Sequence, residues 1–79
     1  MFLMSWQTYI ERIPGVMLGK PVFRGTHITV EFVLERLALG ATADELVRSY
    51  PPLSAEHIMA ALSYAVAVLQ ADELPPSTT

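Results

Sequence analysis

Residues 19–29, Gly-Lys-Pro-Val-Phe-Arg-Gly-Thr-His-Ile-Thr, separate two unlike parts of this 79-residue chain. Glycine permits a positive φ and proline fixes φ, so two turns are predicted here, on either side of a very short apolar run at residues 22–23. The predicted turn residues are Gly19, Pro21, Gly25 and Thr26. The segment ends at Thr29, whose hydroxyl is suited to cap a helix. We therefore expect extended structure before this segment and helices after it.

Residues 1–28 are predicted to form a small β-ribbon with turns. β-prone residue types are concentrated in residues 6–13, and the Pro-Gly pair that follows them predicts a turn. Two further short apolar runs occupy residues 16–18 and 22–23. We expect two or three strands of a few residues each, which need a helix or a partner chain to cover them.

Three helices are predicted, over residues 30–39, 43–49 and 55–71. A hydroxyl side chain precedes each of them and is expected to cap it, at Thr29, Thr42 and Ser54. Glu45 stands three residues after Thr42, which is the spacing of a capping box. Gly40 and Pro51 are expected to end the first two helices. The chain is thus predicted to be a mostly α domain of residues 1–79, with a three-helix unit at 29–72 and a frayed tail at 73–79.

The third predicted helix has no charged side between residues 58 and 71. Its best apolar stripe is predicted to be an interface and consists of Ile58, Leu62, Ala65 and Leu69. The opposite side carries only small residues, at Ala60, Ser63, Ala67 and Ala71. A helix of this kind is usually covered on more than one side. Because 52% of this short chain is hydrophobic, we expect a homodimer or a larger assembly.

The charge is distributed unevenly along the chain. Residues 1–30 carry three cations against one carboxylate, a net +2, whereas residues 31–79 carry two arginines against seven carboxylates, a net −5. Contact with phosphate or with an acidic partner is therefore expected around the two turns, at Lys20, Arg24 and His27. The alternative interpretation is that the glycines and the proline only build turns and that these charges are solvated.

The sequence contains no pattern typical of an enzyme, a cofactor site or a metal site. It has no cysteine, and His27 and His57 have no carboxylate at a ligand spacing, so no metal or cofactor is expected. Glu31 and Glu35 are better explained as a solvated helix face. No nucleophile motif or P-loop spacing occurs. The uncharged run at 58–71 is shorter than the about 20 residues that a bilayer requires, which favours a cytoplasmic protein without a membrane partner.

Five short motifs, in order along the chain, carry a resemblance to a known family. They are Gly19-Lys20-Pro21-Val22, Gly25-Thr26-His27-Ile28, Gly40-Ala41-Thr42, Tyr50-Pro51-Pro52-Leu53, and Ile58 with Ala60-Ala61-Leu62. Over about residues 9–70 the chain resembles the domain of unknown function 433 family. The resemblance implies a homeodomain-like, helix-turn-helix unit of three helices behind a short β segment. Members are small bacterial and archaeal proteins, many of which resemble antitoxins encoded beside a PIN-like ribonuclease.

The resemblance implies an interaction module, an antitoxin that binds and neutralises a PIN-like ribonuclease toxin as a homodimer. Arg24 would then approach the carboxylates of the ribonuclease active site. Family members usually have arginine where His27 stands, so this chain has one cation fewer for that contact. The third helix, or the segment around residues 1–6, would supply apolar contact.

The alternative is a DNA-binding regulator, because the second and third helices and the turn at residues 50–53 have helix-turn-helix spacing. A recognition helix needs arginine, lysine, asparagine or glutamine to contact base edges. Residues 54–74 contain a single glutamine, Gln70, and none of the other three types. We therefore expect DNA binding to be weak, or to occur only as a complex with the toxin.

Overall fold

A short β-ribbon packs on three helices in the computed structural model, which describes residues 5–71. The elements are a 3₁₀ turn at Trp6–Thr8, strand β1 at Ile10–Glu11, a turn at Met17–Gly19, strand β2 at Val22–Phe23, and helices α1 at Val30–Ala38, α2 at Ala43–Ser49 and α3 at Ala55–Ala71. The predicted mostly α fold with a short N-terminal β segment is confirmed. The expected tail at 73–79 lies outside the described residues. None of the helices described in residues 5–71 has the length and hydrophobicity needed to cross a membrane.

The ribbon is antiparallel, and β1 and β2 contribute two residues each. Ile10 pairs with Phe23, and both side chains are buried. Of the two or three strands expected, only these two form within residues 5–71, because residues 16–18 turn instead. The expected strand at residues 6–13 is also shortened, since Trp6 lies in a 3₁₀ turn and its ring packs edge-on against Tyr64 of α3. Tertiary packing here overrides the local preference for extended structure.

The first two helices begin and end where the sequence predicts. The Thr29 hydroxyl accepts a hydrogen bond from the Phe32 N–H at 3.0 Å. Thr42 and Glu45 form the predicted capping box, in which each side chain accepts from the other residue's N–H. Gly40, at φ +104°, ends α1 in a Schellman arrangement, because its N–H donates to the Leu37 carbonyl and the Ala41 N–H donates to the Arg36 carbonyl.

The third helix begins where expected but is capped differently. The Ser54 carbonyl accepts from the N–H groups of His57 and Ile58, which places Ser54 at the helix start. Its hydroxyl, however, lies 2.9 Å from Nδ1 of His57 rather than on a backbone N–H. The Ser54 N–H donates to the same Nδ1 at 3.0 Å, so a histidine takes the place that glutamate has in a capping box.

The side of α3 that enters the core is its small-residue side. Ala60, Ala61 and Ser63 are buried, and the two alanines belong to the same core cluster as residues of the ribbon and the other helices. Of the predicted stripe, Ile58 is buried and Ala65 is half-buried, whereas Leu62 and Leu69 are exposed. Small side chains let the α3 backbone approach the core closely, which turns much of the larger apolar surface outward. The remaining core residues are Ile10, Val22, Phe23, Val30, Val33, Leu46 and Leu53.

Candidate partner-binding surface

The residues that surround the two predicted turns form one surface, called here the turn surface and defined as residues 13–20 and 24–28. The two parts meet where Met17 of the first and His27 of the second line the same pocket. The structure places Lys20, Arg24 and His27 on this surface, all exposed to solvent. The three side chains differ in their hydrogen bonds, and therefore in how available each is to contact a partner.

Lys20 forms an ion pair with Glu31 of α1. Its Nζ donates a hydrogen bond to Oε1 of Glu31 at 2.9 Å. This hydrogen bond, and next the negative charge of Glu31, raise the pKa of Lys20 above its usual value. The charge of Lys20 is therefore already compensated within the chain.

Arg24 fastens the segment before β1 to the end of β2. Its guanidinium donates to Oε1 of Glu11 at 2.7 Å. Its Nη2 and Nε also donate to the backbone carbonyl of Gln7, at 3.0 and 3.3 Å. Three hydrogen bonds to two acceptors hold the planar side chain in place. Arg24 thus has a structural role in the chain itself, and a partner carboxylate would have to compete with Glu11.

His27 lies beside an apolar pocket of about 280 Å³. The pocket is lined by Met17, His27, Ile28, Thr29, Phe32 and Tyr50. On one side of the pocket the rings of Phe32 and Tyr50 pack edge to face, with centroids 5.3 Å apart, and each ring supports the position of the other. The pocket offers a partner an apolar side-chain site with one imidazole beside it.

Gly19, Gly25 and Thr26 lie in turns or bends, whereas Pro21 lies outside any turn, directly before β2. Gly19 and Gly25 have φ values of +75° and +76°, which glycine adopts without a steric penalty. The Thr26 hydroxyl donates to the Phe23 carbonyl at 2.8 Å and accepts from the Ile28 N–H at 3.0 Å. Pro21 has no N–H, and its carbonyl accepts from the Val30 N–H at 3.0 Å. These residues hold the backbone of the turn surface in shape.

The feature of the turn surface that sequence reasoning missed is a left-handed turn at Met17–Gly19. Met17 and Leu18 have φ values of +47° and +59°, a region that costs an ordinary residue about 1–2 kcal/mol. The turn is held by hydrogen bonds from Gly19 to Val16 and from Lys20 to Met17. Leu18 consequently projects into solvent with 93% of its surface exposed. An apolar Val-Met-Leu run gives no sequence signal for this conformation, since it resembles a strand.

A second, larger groove lies between α1 and α3. It holds about 510 Å³ and is lined by Arg12, Pro21, Val30, Glu31, Leu34, Glu35, Tyr64 and Val68. Arg12 crosses to α3, where it donates to the Tyr64 hydroxyl at 3.0 Å. Two carboxylates against one guanidinium make this groove unfavourable for phosphate. Within residues 5–71 no cluster of three or more His, Asp or Glu side chains could hold a metal ion.

The turn surface therefore combines compensated charges with exposed apolar side chains. Both of its long cations, Lys20 and Arg24, are paired with carboxylates of the chain. Large apolar side chains remain exposed on it at Ile13, Met17 and Leu18. Such a surface is suited to burial against another protein more than to contact with a phosphate backbone.

Comparisons with known proteins agree on one family. A family model described as "Protein of unknown function (DUF433)" matches residues 10–65. The fold is similar to the 2.00 Å crystal structure of a DUF433 member protein from Anabaena variabilis ATCC 29413, with 38% sequence identity and a TM-score of 0.70. The similarity covers 73% of this chain and 57% of that one, so the chain spans little more than half the length of its structural relative. No curated protein matches the chain. The chain belongs to the DUF433 family.

Proposed function

We propose that this chain is an antitoxin-type interaction module, which acts in the cytoplasm as a homodimer and uses the turn surface to bind and neutralise a PIN-like ribonuclease. The observation that supports this proposal best is the backbone at Leu18. A large apolar side chain is held almost fully in solvent by a left-handed turn. Strained backbone of this kind persists where the surrounding structure enforces it, and it is concentrated at functional sites.

The energetics favour apolar contact over charge contact at this surface. Full burial of a leucine side chain contributes about 1.5–3 kcal/mol. The exposed side chains of Met17 and Ile13 would add to the buried area, and the pocket next to His27 would accept a side chain from the partner. Arg24 would have to exchange Glu11 for a carboxylate of the ribonuclease, which limits the net gain. We therefore assign the larger share of the binding energy to Leu18 and its neighbours.

The experiment measures binding to the PIN-like protein encoded beside this gene. Leu18→Asn removes the apolar side chain and introduces a residue type that tolerates a positive φ. The matched control is Leu39→Asn, because Leu39 is also strongly exposed, at 75%, but lies at the end of α1. We expect Leu18→Asn to weaken binding at least tenfold, with a parallel loss of ribonuclease inhibition. If both variants bind like the wild type, the turn surface is only scaffold.

The second candidate function is DNA binding, favoured by the order of α2, a five-residue turn and α3. The large side chains on the exposed face of α3 are mostly apolar, and Gln70 is its one side chain of the types that suit base contacts. Fluorescence anisotropy with DNA from upstream of the gene, over a series of salt concentrations, tests this. We expect weak binding that depends on Lys20 and Arg24. Tight binding that falls steeply with salt and survives Arg24→Ala would favour a regulator.

A further inference from the structure

The outward face of α3 carries four large apolar side chains in regular register. Met59, Leu62, Val66 and Leu69 are exposed by 57%, 44%, 41% and 70%. Successive members are three, four and three residues apart, which is the alternation of the a and d positions in a heptad repeat. We call these four residues the α3 seam. They lie on the side of the helix opposite the buried Ala60 and Ala61.

The α3 seam is unusual for the exposed face of a helix, because it carries no charged residue. A helix at the surface of a monomer normally presents charged residues to water. Here no Asp, Glu, Lys or Arg occurs between residues 58 and 71. Contiguous exposed apolar surface of this kind marks a site of interaction with another protein.

We propose that a second copy of this chain covers the α3 seam, with α3 packed on α3 across a two-fold axis. This deepens the proposed function, since it assigns the contact of the proposed homodimer. The heptad spacing fits a second helix with the same spacing, as an isologous contact requires. A partner of the same sequence supplies such a helix without any further assumption.

Electrostatics also select this face for contact between two copies. Residues 30–71, which contain all three helices, carry two arginines against five carboxylates, a net charge of −3. Two copies that meet through other helical faces would therefore bring carboxylates together. The α3 seam has no charge along its length, so it is the helical face on which two acidic copies approach with least repulsion. The four side chains form a small contact, and the assembly is expected to dissociate on dilution.

Light scattering after gel filtration tests the contact directly. The monomer has a mass of 8.7 kDa, and we expect twice that mass at high micromolar concentration. Val66→Glu and Leu69→Glu place a carboxylate in the α3 seam and should each give a monomer. The control Leu39→Glu adds the same charge at a strongly exposed leucine that follows α1 directly, and this variant should stay dimeric. Circular dichroism reports whether each variant is folded.

Cysteine cross-linking gives an independent readout, because the chain has no cysteine of its own. Met59→Cys and Leu69→Cys are oxidised separately and as a mixture. Disulfides within each variant indicate parallel helices, and disulfides only in the mixture indicate antiparallel helices; either result supports the α3 seam. Leu39→Cys should remain uncoupled. No cross-link in any combination would overturn the proposal, as would a wild type that is monomeric at every concentration.

The two proposals fail in different ways. A monomeric protein that still binds the PIN-like ribonuclease overturns the α3 seam and leaves the proposed function. A dimer that does not bind the ribonuclease does the reverse. If the wild type is monomeric and Val66→Glu abolishes ribonuclease binding, the α3 face belongs to the toxin and the assignment to a second copy is wrong.

Discussion

The backbone N–H of Ser54 donates a hydrogen bond to Nδ1 of His57 across 3.0 Å, at the first turn of α3. Because an N–H only donates, Nδ1 is the unprotonated ring nitrogen and Nε2 carries the hydrogen. The same ring packs edge-on against Phe23 and Tyr9, with centroids 5.5 and 5.1 Å away. His57 therefore joins the cap of α3 to the β-ribbon.

We expect His57→Ala to lower the free energy of unfolding by about 2 kcal/mol, the sum of a lost cap interaction and lost aromatic packing. His57→Asn should lose less, since its side-chain oxygen can still accept from the Ser54 N–H. Urea denaturation followed by circular dichroism measures both variants. Equal losses for alanine and asparagine would show that the hydrogen bond to Ser54 does not contribute.

Leu18→Asn should raise stability while it removes partner binding. Asparagine populates the left-handed region more readily than leucine, and Leu18 makes little contact with the core because 93% of it is exposed. We expect a gain of about 0.5–1 kcal/mol in the free energy of unfolding, part of the strain at this position. Thermal unfolding of wild type and variant measures it, with Leu39→Asn as control. A lower melting temperature for Leu18→Asn would show that Leu18 stabilises the turn.

The pair formed by Arg24 and Glu11 should contribute modestly to stability. Its geometry is good, but the Arg24 side chain is half exposed, and pairs of this kind contribute about 0.2–1 kcal/mol. A double-mutant cycle with Arg24→Met and Glu11→Gln isolates the interaction of the two side chains. Arg24→Met alone should cost more than the coupling energy, because it also removes the hydrogen bonds to the Gln7 carbonyl. Strict additivity of the two substitutions would contradict a direct interaction.

The Lys20–Glu31 pair should respond to alkaline pH. The pKa of Lys20 is raised above 10.5 in the folded protein, mainly by its hydrogen bond to Glu31. The resulting stabilisation is fully present below the unfolded pKa, and it is lost as pH rises through the folded pKa. Thermal unfolding of wild type and Lys20→Met should therefore differ slightly at neutral pH and converge at strongly alkaline pH. A constant difference across that range would exclude a role for the lysine charge.

The sequence by itself determines where the helices begin and how α1 ends. Thr29 and Thr42 cap α1 and α2 because a hydroxyl at that position satisfies an N–H that the helix leaves free. Gly40 ends α1 for an equally local reason, its positive φ. These interactions span three to five residues, so a short stretch of sequence contains all the groups that make them. The turn at Gly25 follows from the same kind of local chemistry, whereas the chain turns at Met17–Gly19 and is already extended at Lys20.

Only the tertiary structure decides which charged side chains on these elements remain unpaired and which apolar side chains remain exposed. Whether Lys20 and Arg24 are free depends on Glu31 and Glu11, which lie 11 and 13 residues away in sequence. The face that α3 buries is decided by how closely its backbone approaches the core, and Ala60 and Ala61 permit an approach that leucines would prevent. The left-handed turn that exposes Leu18 is likewise absent from any sequence-based prediction, since no local preference of leucine favours it. Local chemistry fixes the ends of α1 and α2 and the starts of all three helices, whereas contacts between distant residues decide which side chains stay exposed.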